Sequence, residues 1–168
     1  MSKNTTKYPF EKIVVNSSFG KLTSVPEFET KVLPEIAGAI SAITGQKPQQ
    51  RPAKKSIAGF KIREGMIVGL KVTLRGKKMM QFFEKTINVV IPRIRDFRGI
   101  ELSTVDSNGN LTFGIKEHTV FPEIVLENSR VVFGIQITAV PKGKFSHEKA
   151  LELFKKLGVP FVKKTHNK

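Results

Sequence analysis

The sequence predicts an α+β fold: an antiparallel sheet with helices packed on one face and the other face left open, polar and cationic. Three observations carry this expectation. Segments with a two-residue apolar period and segments with a helical period both occur along the chain. They do not alternate as regular βαβ units. The clearest two-residue pattern places basic and hydroxyl side chains opposite its apolar side.

Residues 12–16 (KIVVN) are short and β-branched and run into a Ser-Ser-Phe-Gly turn, which reads as a first strand. Residues 30–44 place Leu33, Ile36, Ala37, Ile40 and Ile43 at helical spacing. Pro34 is expected in the first turn of that helix, where a missing N–H costs nothing. Gly45 and Pro48 close it in the usual C-terminal order. Residues 66–75 alternate: Met66, Val68, Leu70, Val72 and Leu74 share one side, while Ile67, Gly69, Lys71, Thr73 and Arg75 share the other. After Gly76, the residues Met79, Met80, Phe83, Ile87, Val90 and Ile91 recur three or four apart, a helix that Pro92 is expected to end.

Residues 111–117 and 131–139 alternate again, with Phe113, Ile115, Phe133, Ile135 and Ile137 facing inward and Thr112, Lys116, Gln136 and Thr138 outward. A last helix begins after Ser146 as N-cap, aligns Ala150, Leu151, Phe154 and Leu157, and stops at Gly158 and Pro160. The chain is read as one domain, 1–168, with a basic tail from about residue 163.

Composition narrows the function. The 168 residues include 29 Lys+Arg against 14 Asp+Glu, a formal charge of +15, and the sequence pI is about 10.2. Hydrophobic residues at 39%, with 13 Phe, supply a real core, which excludes a wholly disordered basic tail. Ten basic residues (Lys47, Arg51, Lys54, Lys55, Lys61, Arg63, Lys71, Arg75, Lys77 and Lys78) crowd residues 47–78 beside one acid, Glu64. Arg93, Arg95 and Arg98 surround Asp96, a pairing that looks structural. At this charge the expected partner is a polyanion, most often nucleic acid, and the polar sheet side is a candidate RNA platform.

Several chemistries drop out. There is no cysteine, hence no disulfide scaffold, thiol catalysis or cysteine-ligated metal. No apolar run approaches the roughly 18–20 residues of a membrane span, and the first ten residues lack the apolar centre of a secretory signal. Gly109 and Gly114 have phosphate-loop spacing, but Ile115 stands where the Lys belongs, so an Asn108-Gly109 turn joining strands explains them better. His118, His147 and His166 are scattered without paired carboxylates and read as surface residues. No enzyme, cofactor, metal, membrane or small-molecule substrate is called for.

The ordered motifs ITGQKP (43–48), KKSIAGFKIREG (54–65), KVTLRG (71–76), PRIRDFRG (92–99), GNLTFGIKE (109–117) and FPEI (121–124), with GVPF (158–161), resemble the large-subunit ribosomal protein five family of bacterial or organellar type. The resemblance spans about residues 11–164. It implies a structural constituent of the large subunit that binds 5S rRNA, anchors it in the central protuberance, touches large-subunit rRNA and the peptidyl-site tRNA, and bridges to a small-subunit head protein. It implies that Asn16, Gln46 and Thr73 contact 5S rRNA, and Lys71 and Arg75 are suited to neutralising phosphates beside them.

The loop formed by Lys54, Lys55, Ser56, Ile57, Ala58, Gly59, Phe60, Lys61, Ile62 and Arg63 matches the family's tRNA-contacting loop. Its Gly59 is expected to permit a tight backbone, and Phe60 either to stack or to anchor the loop. Repulsion among its cations predicts a loop that orders only against RNA.

The resemblance has two departures. The family's N-terminal helix has no counterpart before Glu11, and SSFGK (17–21) replaces a Met-Gly-Val-Gly-Glu pattern. The shortened start suggests a reduced genome or an organelle-encoded copy, so the expected location is a cytoplasmic bacterial ribosome or that of a mitochondrion or plastid; the lack of an Arg- and Ser-rich leader argues against import. The competing reading is a general charge-driven RNA-binding protein or RNA chaperone without 5S specificity.

Overall fold

The computed structural model describes residues 8–20, 22–24, 27–124 and 131–162; the basic tail expected from about residue 163, with His166, lies outside them. Strands β1 (Phe10–Ser18), β2 (Gln49–Pro52), β3 (Ile67–Leu74), β4 (Leu111–Ile115) and β5 (Ile135–Pro141) form one antiparallel sheet in the order β2-β3-β1-β5-β4. With helices α1 (Leu33–Thr44), α2 (Gly76–Lys85), the single turn α3 (Ile91–Arg93) and α4 (His147–Lys156), the fold is α+β, as the mixed periods predict. No helix among the described residues is long and apolar enough to cross a membrane. The chain divides into two compact units: residues 14–74 with 114–137, called the β3 unit, and residues 1–13, 75–113 and 138–168, called the α4 unit.

In the β3 unit, β3 buries Leu70, Val72 and Leu74 and leaves Lys71 and Thr73 half-buried, the register that alternation predicts, while at its start Val68 is half-buried and Gly69, close to the Ser17 backbone, is buried instead. Helix α1 buries Leu33, Ile36, Ile40 and Ile43 and carries Pro34 in its first turn. Gly45 ends it at φ +66 and donates its N–H to the Ser41 carbonyl at 2.8 Å, a left-handed cap that glycine adopts without steric cost. A π-helical turn, Phe28–Val32, precedes α1 and buries Phe28, whose ring lies 5.7 Å from that of Phe19.

Strand β5 starts at Ile135, four residues later than its alternation indicates. The backbone ahead of it is engaged elsewhere: the Phe133 carbonyl accepts the His118 N–H at 3.0 Å, and the Phe133 N–H donates to His118 Nδ1 at 3.5 Å. His118 is therefore not the surface residue its polar neighbours suggest. It is buried and stacked on Phe133, with ring centres 4.0 Å apart and 13° between planes. Burial lowers its pKa from the ordinary 6.5, and the opposing pulls of Glu35, the Phe133 backbone and Glu117 do not reverse this.

In the α4 unit, α2 buries Met79, Phe82 and Phe83 and passes through a π-helical turn, Thr86–Val90, that buries Ile87 and Val90. The helical course ends at Arg93, one residue beyond Pro92. Pro92 is the middle residue of α3, in the last turn of that course. Phe10 sets its ring against Phe83 at 4.7 Å and Phe154 at 5.9 Å. Helix α4 buries Ala150 and Phe154, and Ser146 stands at its N-cap position without making a side-chain capping bond.

Asp96 is not paired with its flanking arginines. It adopts a left-handed φ of +55 and joins no ion pair among the described residues. The Asn108-Gly109 turn is held by Asp106, whose carboxylate accepts the N–H groups of Asn108 at 2.9 Å and Asn110 at 2.8 Å. It leads from the Val105–Leu111 bridge into β4.

Candidate nucleic-acid interface

The expected RNA contacts in the β3 unit come from the end of α1 and from strands β1 and β3. Gln46 follows the Gly45 cap, and its N–H is held by the Thr44 hydroxyl at 3.4 Å. Its side chain then crosses to β3, where Nε2 donates to the Thr73 carbonyl at 3.3 Å. Lys71 lies directly opposite Gln49 in the antiparallel β2–β3 register. Opposed residues project to the same side, and so does Thr73, two residues along from Lys71. The structure therefore brings Gln46, Lys71 and Thr73 together and adds Gln49. Asn16 sits half-buried on β1, the strand next to β3, between buried Val15 and Ser17.

Gln49 escapes a reading of the sequence because β2 (QQRP) has no apolar pattern; all four of its residues are exposed. The strand exists because β3 offers it a hydrogen-bonding edge, and its Pro52 falls at a register shift at the strand's end, where proline is tolerated. A polar pair following a helix-ending QKP is the one signal that points to it. A groove of about 690 Å³ opens beside Gln46, lined also by Pro34, Ser41, Lys47 and Gln50.

Arg75 is the residue after the last of β3. β3 ends at Leu74, so Arg75 takes extended geometry as the residue before α2 and belongs to the α4 unit. Its guanidinium donates to the Glu11 carbonyl at 3.3 Å and lies 3.5 Å from the Glu11 carboxylate. An exposed pair of this kind is worth at most about 1 kcal/mol and is screened by salt.

The 54–65 loop is closed rather than unstructured. Ala53 and Met66 join at 2.8 Å across its base, and the Glu64 N–H donates to Ser56 Oγ at 3.0 Å. Ile57 and Ile62 exchange backbone bonds of 2.8 and 3.2 Å around a 3₁₀ turn, Ala58–Phe60. Lys54, Lys55, Lys61 and Arg63 all reach solvent, where screening weakens the repulsion expected to open the loop. Lys61, not Gly59, is the left-handed residue, at φ +54. Half-buried Ile62 lies against Gly20 and anchors the loop; Phe60 does not, since it is 67% exposed.

Amide, hydroxyl and ammonium groups can hydrogen-bond phosphates, 2′-hydroxyls and base edges. No cluster of His, Asp or Glu among the described residues can hold a metal ion.

Comparison with known proteins matches residues 9–63 to the family model described as ribosomal protein L5, and residues 67–161 to the model for the C-terminus of the same ribosomal family. The large ribosomal subunit protein uL5 of Halothermothrix orenii is 48% identical over 151 residues, covering 90% of this chain and 82% of its own length. That of Malacoplasma penetrans is 48% identical over 162 residues, covering 96% and 84%. That of Desulforamulus reducens is 44% identical over 162 residues, covering 96% and 87%.

Proposed function

The chain belongs to the ribosomal protein L5 family, and from that premise we propose that it binds 5S rRNA through its β3 unit and anchors it in the central protuberance. Membership makes it a structural, non-enzymatic constituent of the large ribosomal subunit, with ribosomal RNA as partner, in the cytoplasm of a bacterium. The observation that carries the 5S reading is the grouping of Gln46, Gln49, Lys71 and Thr73, tied by the Gln46–Thr73 hydrogen bond and the Gln49–Lys71 register. Fixed short amides and a hydroxyl beside an ammonium suit the shallow minor groove of RNA, with the cation taking up phosphate charge. A binder working by charge alone has no use for amides held in place.

Asn16 on β1 extends this contact, and Arg75 exchanges Glu11 for phosphate. The 54–63 loop touches the peptidyl-site tRNA with Lys54, Lys55, Lys61 and Arg63. Contact with a small-subunit head protein completes the reading, as family membership leads one to expect. A photo-cross-linking side chain at position 49 tests the 5S contact in reconstituted large subunits. Adducts with 5S rRNA are expected from position 49 and none from position 152, on the exposed side of α4. Equal yields from both, or adducts only with other RNA, contradict it.

A further inference from the structure

We propose that Phe60 is a stacking platform whose ring takes the face of an accessible nucleobase of tRNA; this rests on the tRNA reading of the 54–63 loop. Phe60 is the most exposed large apolar side chain among the described residues, at 67%, and Ile57 beside it is 47% exposed. An aromatic ring left in water is unfavourable, and the turn that carries it is no frayed end. The Phe60 N–H donates to the Ile57 carbonyl at 3.2 Å and the Lys61 N–H to the Ala58 carbonyl at 3.0 Å. Lys61 is held left-handed, a conformation a lysine rarely adopts.

The turn therefore holds one shape that keeps the ring outside. The neighbouring Gly59 leaves the approach open: a Cβ there would meet nothing within 4 Å. Exposed Lys54, Lys55, Lys61 and Arg63 belong to the same loop. Cations that take phosphates beside a free aromatic face make up a site for unpaired RNA bases. Stacking also fits the partner, because the peptidyl site accepts every tRNA in turn and each base has a π-face whatever its sequence.

The test compares ribosomes carrying the wild-type chain, Phe60→Trp and Phe60→Leu, by the rate at which tRNA leaves the peptidyl site. Trp keeps the π-face, while Leu keeps apolar bulk without it. The proposal expects Phe60→Trp to hold tRNA at least as long as wild type and Phe60→Leu to release it about tenfold faster. Equal release from the two variants overturns it, and if Phe60→Ser alone releases tRNA the contact is plain apolar docking. A Lys61→Ala, Arg63→Ala double variant separates the failures. If it too leaves release unchanged, the loop's tRNA role falls and the stacking with it; if it speeds release while Leu and Trp behave alike, the stacking alone falls.

Discussion

The side-chain amide of Gln46 donates to the main-chain carbonyl of Thr73 at 3.3 Å, tying the loop after α1 to the end of β3. Because the acceptor is main chain, replacing the Thr73 side chain leaves the tie in place. Thr73→Ala is therefore expected to fold and melt like the parent while binding 5S rRNA about fivefold more weakly, the loss of one hydrogen bond of ~1 kcal/mol. Gln46→Ala removes both the tie and a donor and should weaken binding at least as much, with less than about 1 kcal/mol lost in stability. Calorimetric melting beside filter binding reads both quantities; unchanged affinity in folded Thr73→Ala removes it from the site.

Val72, one residue away, is buried on the opposite side of β3 at 1% exposure. Val72→Asp forces an unpaired carboxylate into the core and is expected to unfold the chain or cost more than about 3 kcal/mol in urea unfolding. A Val72→Asp protein as stable as the parent means the register of β3 is off by one residue.

Gly99 in the α4 unit stands at φ +113, and a Cβ there would lie 2.8 Å from the Val162 backbone nitrogen. The adjacent Ile100 and Val162 are joined by a 2.9 Å backbone bond, so neither side gives way easily. Gly99→Ala is expected to cost about 1–3 kcal/mol from strain and displacement together, read from the urea midpoint. A midpoint equal to wild type shows that the contact opens at no cost.

Buried His118 gives the fold a pH dependence of defined sign. Its folded-state pKa lies below the unfolded value near 6.5, so at lower pH the unfolded chain takes up the proton first. The stabilisation is full above about pH 6.5, declines as pH falls below it, and is gone once pH passes the lowered folded value. The slope from this one group is at most about 1.4 kcal/mol per pH unit. His118→Phe should flatten the profile in that window, and an unchanged slope assigns the dependence to other groups.

Much of this was legible in the sequence because local physics decides it. The period-two pattern of β3, the apolar row of α1 and the Gly45 cap need only neighbouring residues, and each stands where the pattern puts it. The misses are tertiary. Strand β2 has no apolar signal and exists through its pairing with β3. His118 lies among polar neighbours, and its stacking partner Phe133 is fifteen residues away, so burial and the late start of β5 were hidden together. Ser146 has the right residue type for an N-cap, yet the capping bond is not made. At the site, Arg75 has Glu11 as a partner 64 residues away, which no local pattern indicates. In the 54–65 loop the charges stand out in the sequence, whereas the backbone bonds that close it do not.

Specific recognition of 5S rRNA is tested by the affinity of the full chain for 5S rRNA and for an unrelated RNA of equal length across a series of salt concentrations. Both affinities fall with salt, because a chain of charge +15 releases counterions from any RNA. 5S rRNA is expected to keep an advantage of at least about tenfold at the highest salt, where fixed amide and hydroxyl contacts persist after phosphate attraction is screened. Affinities that fall together and coincide at every salt concentration contradict it, and leave a binder that reads charge alone.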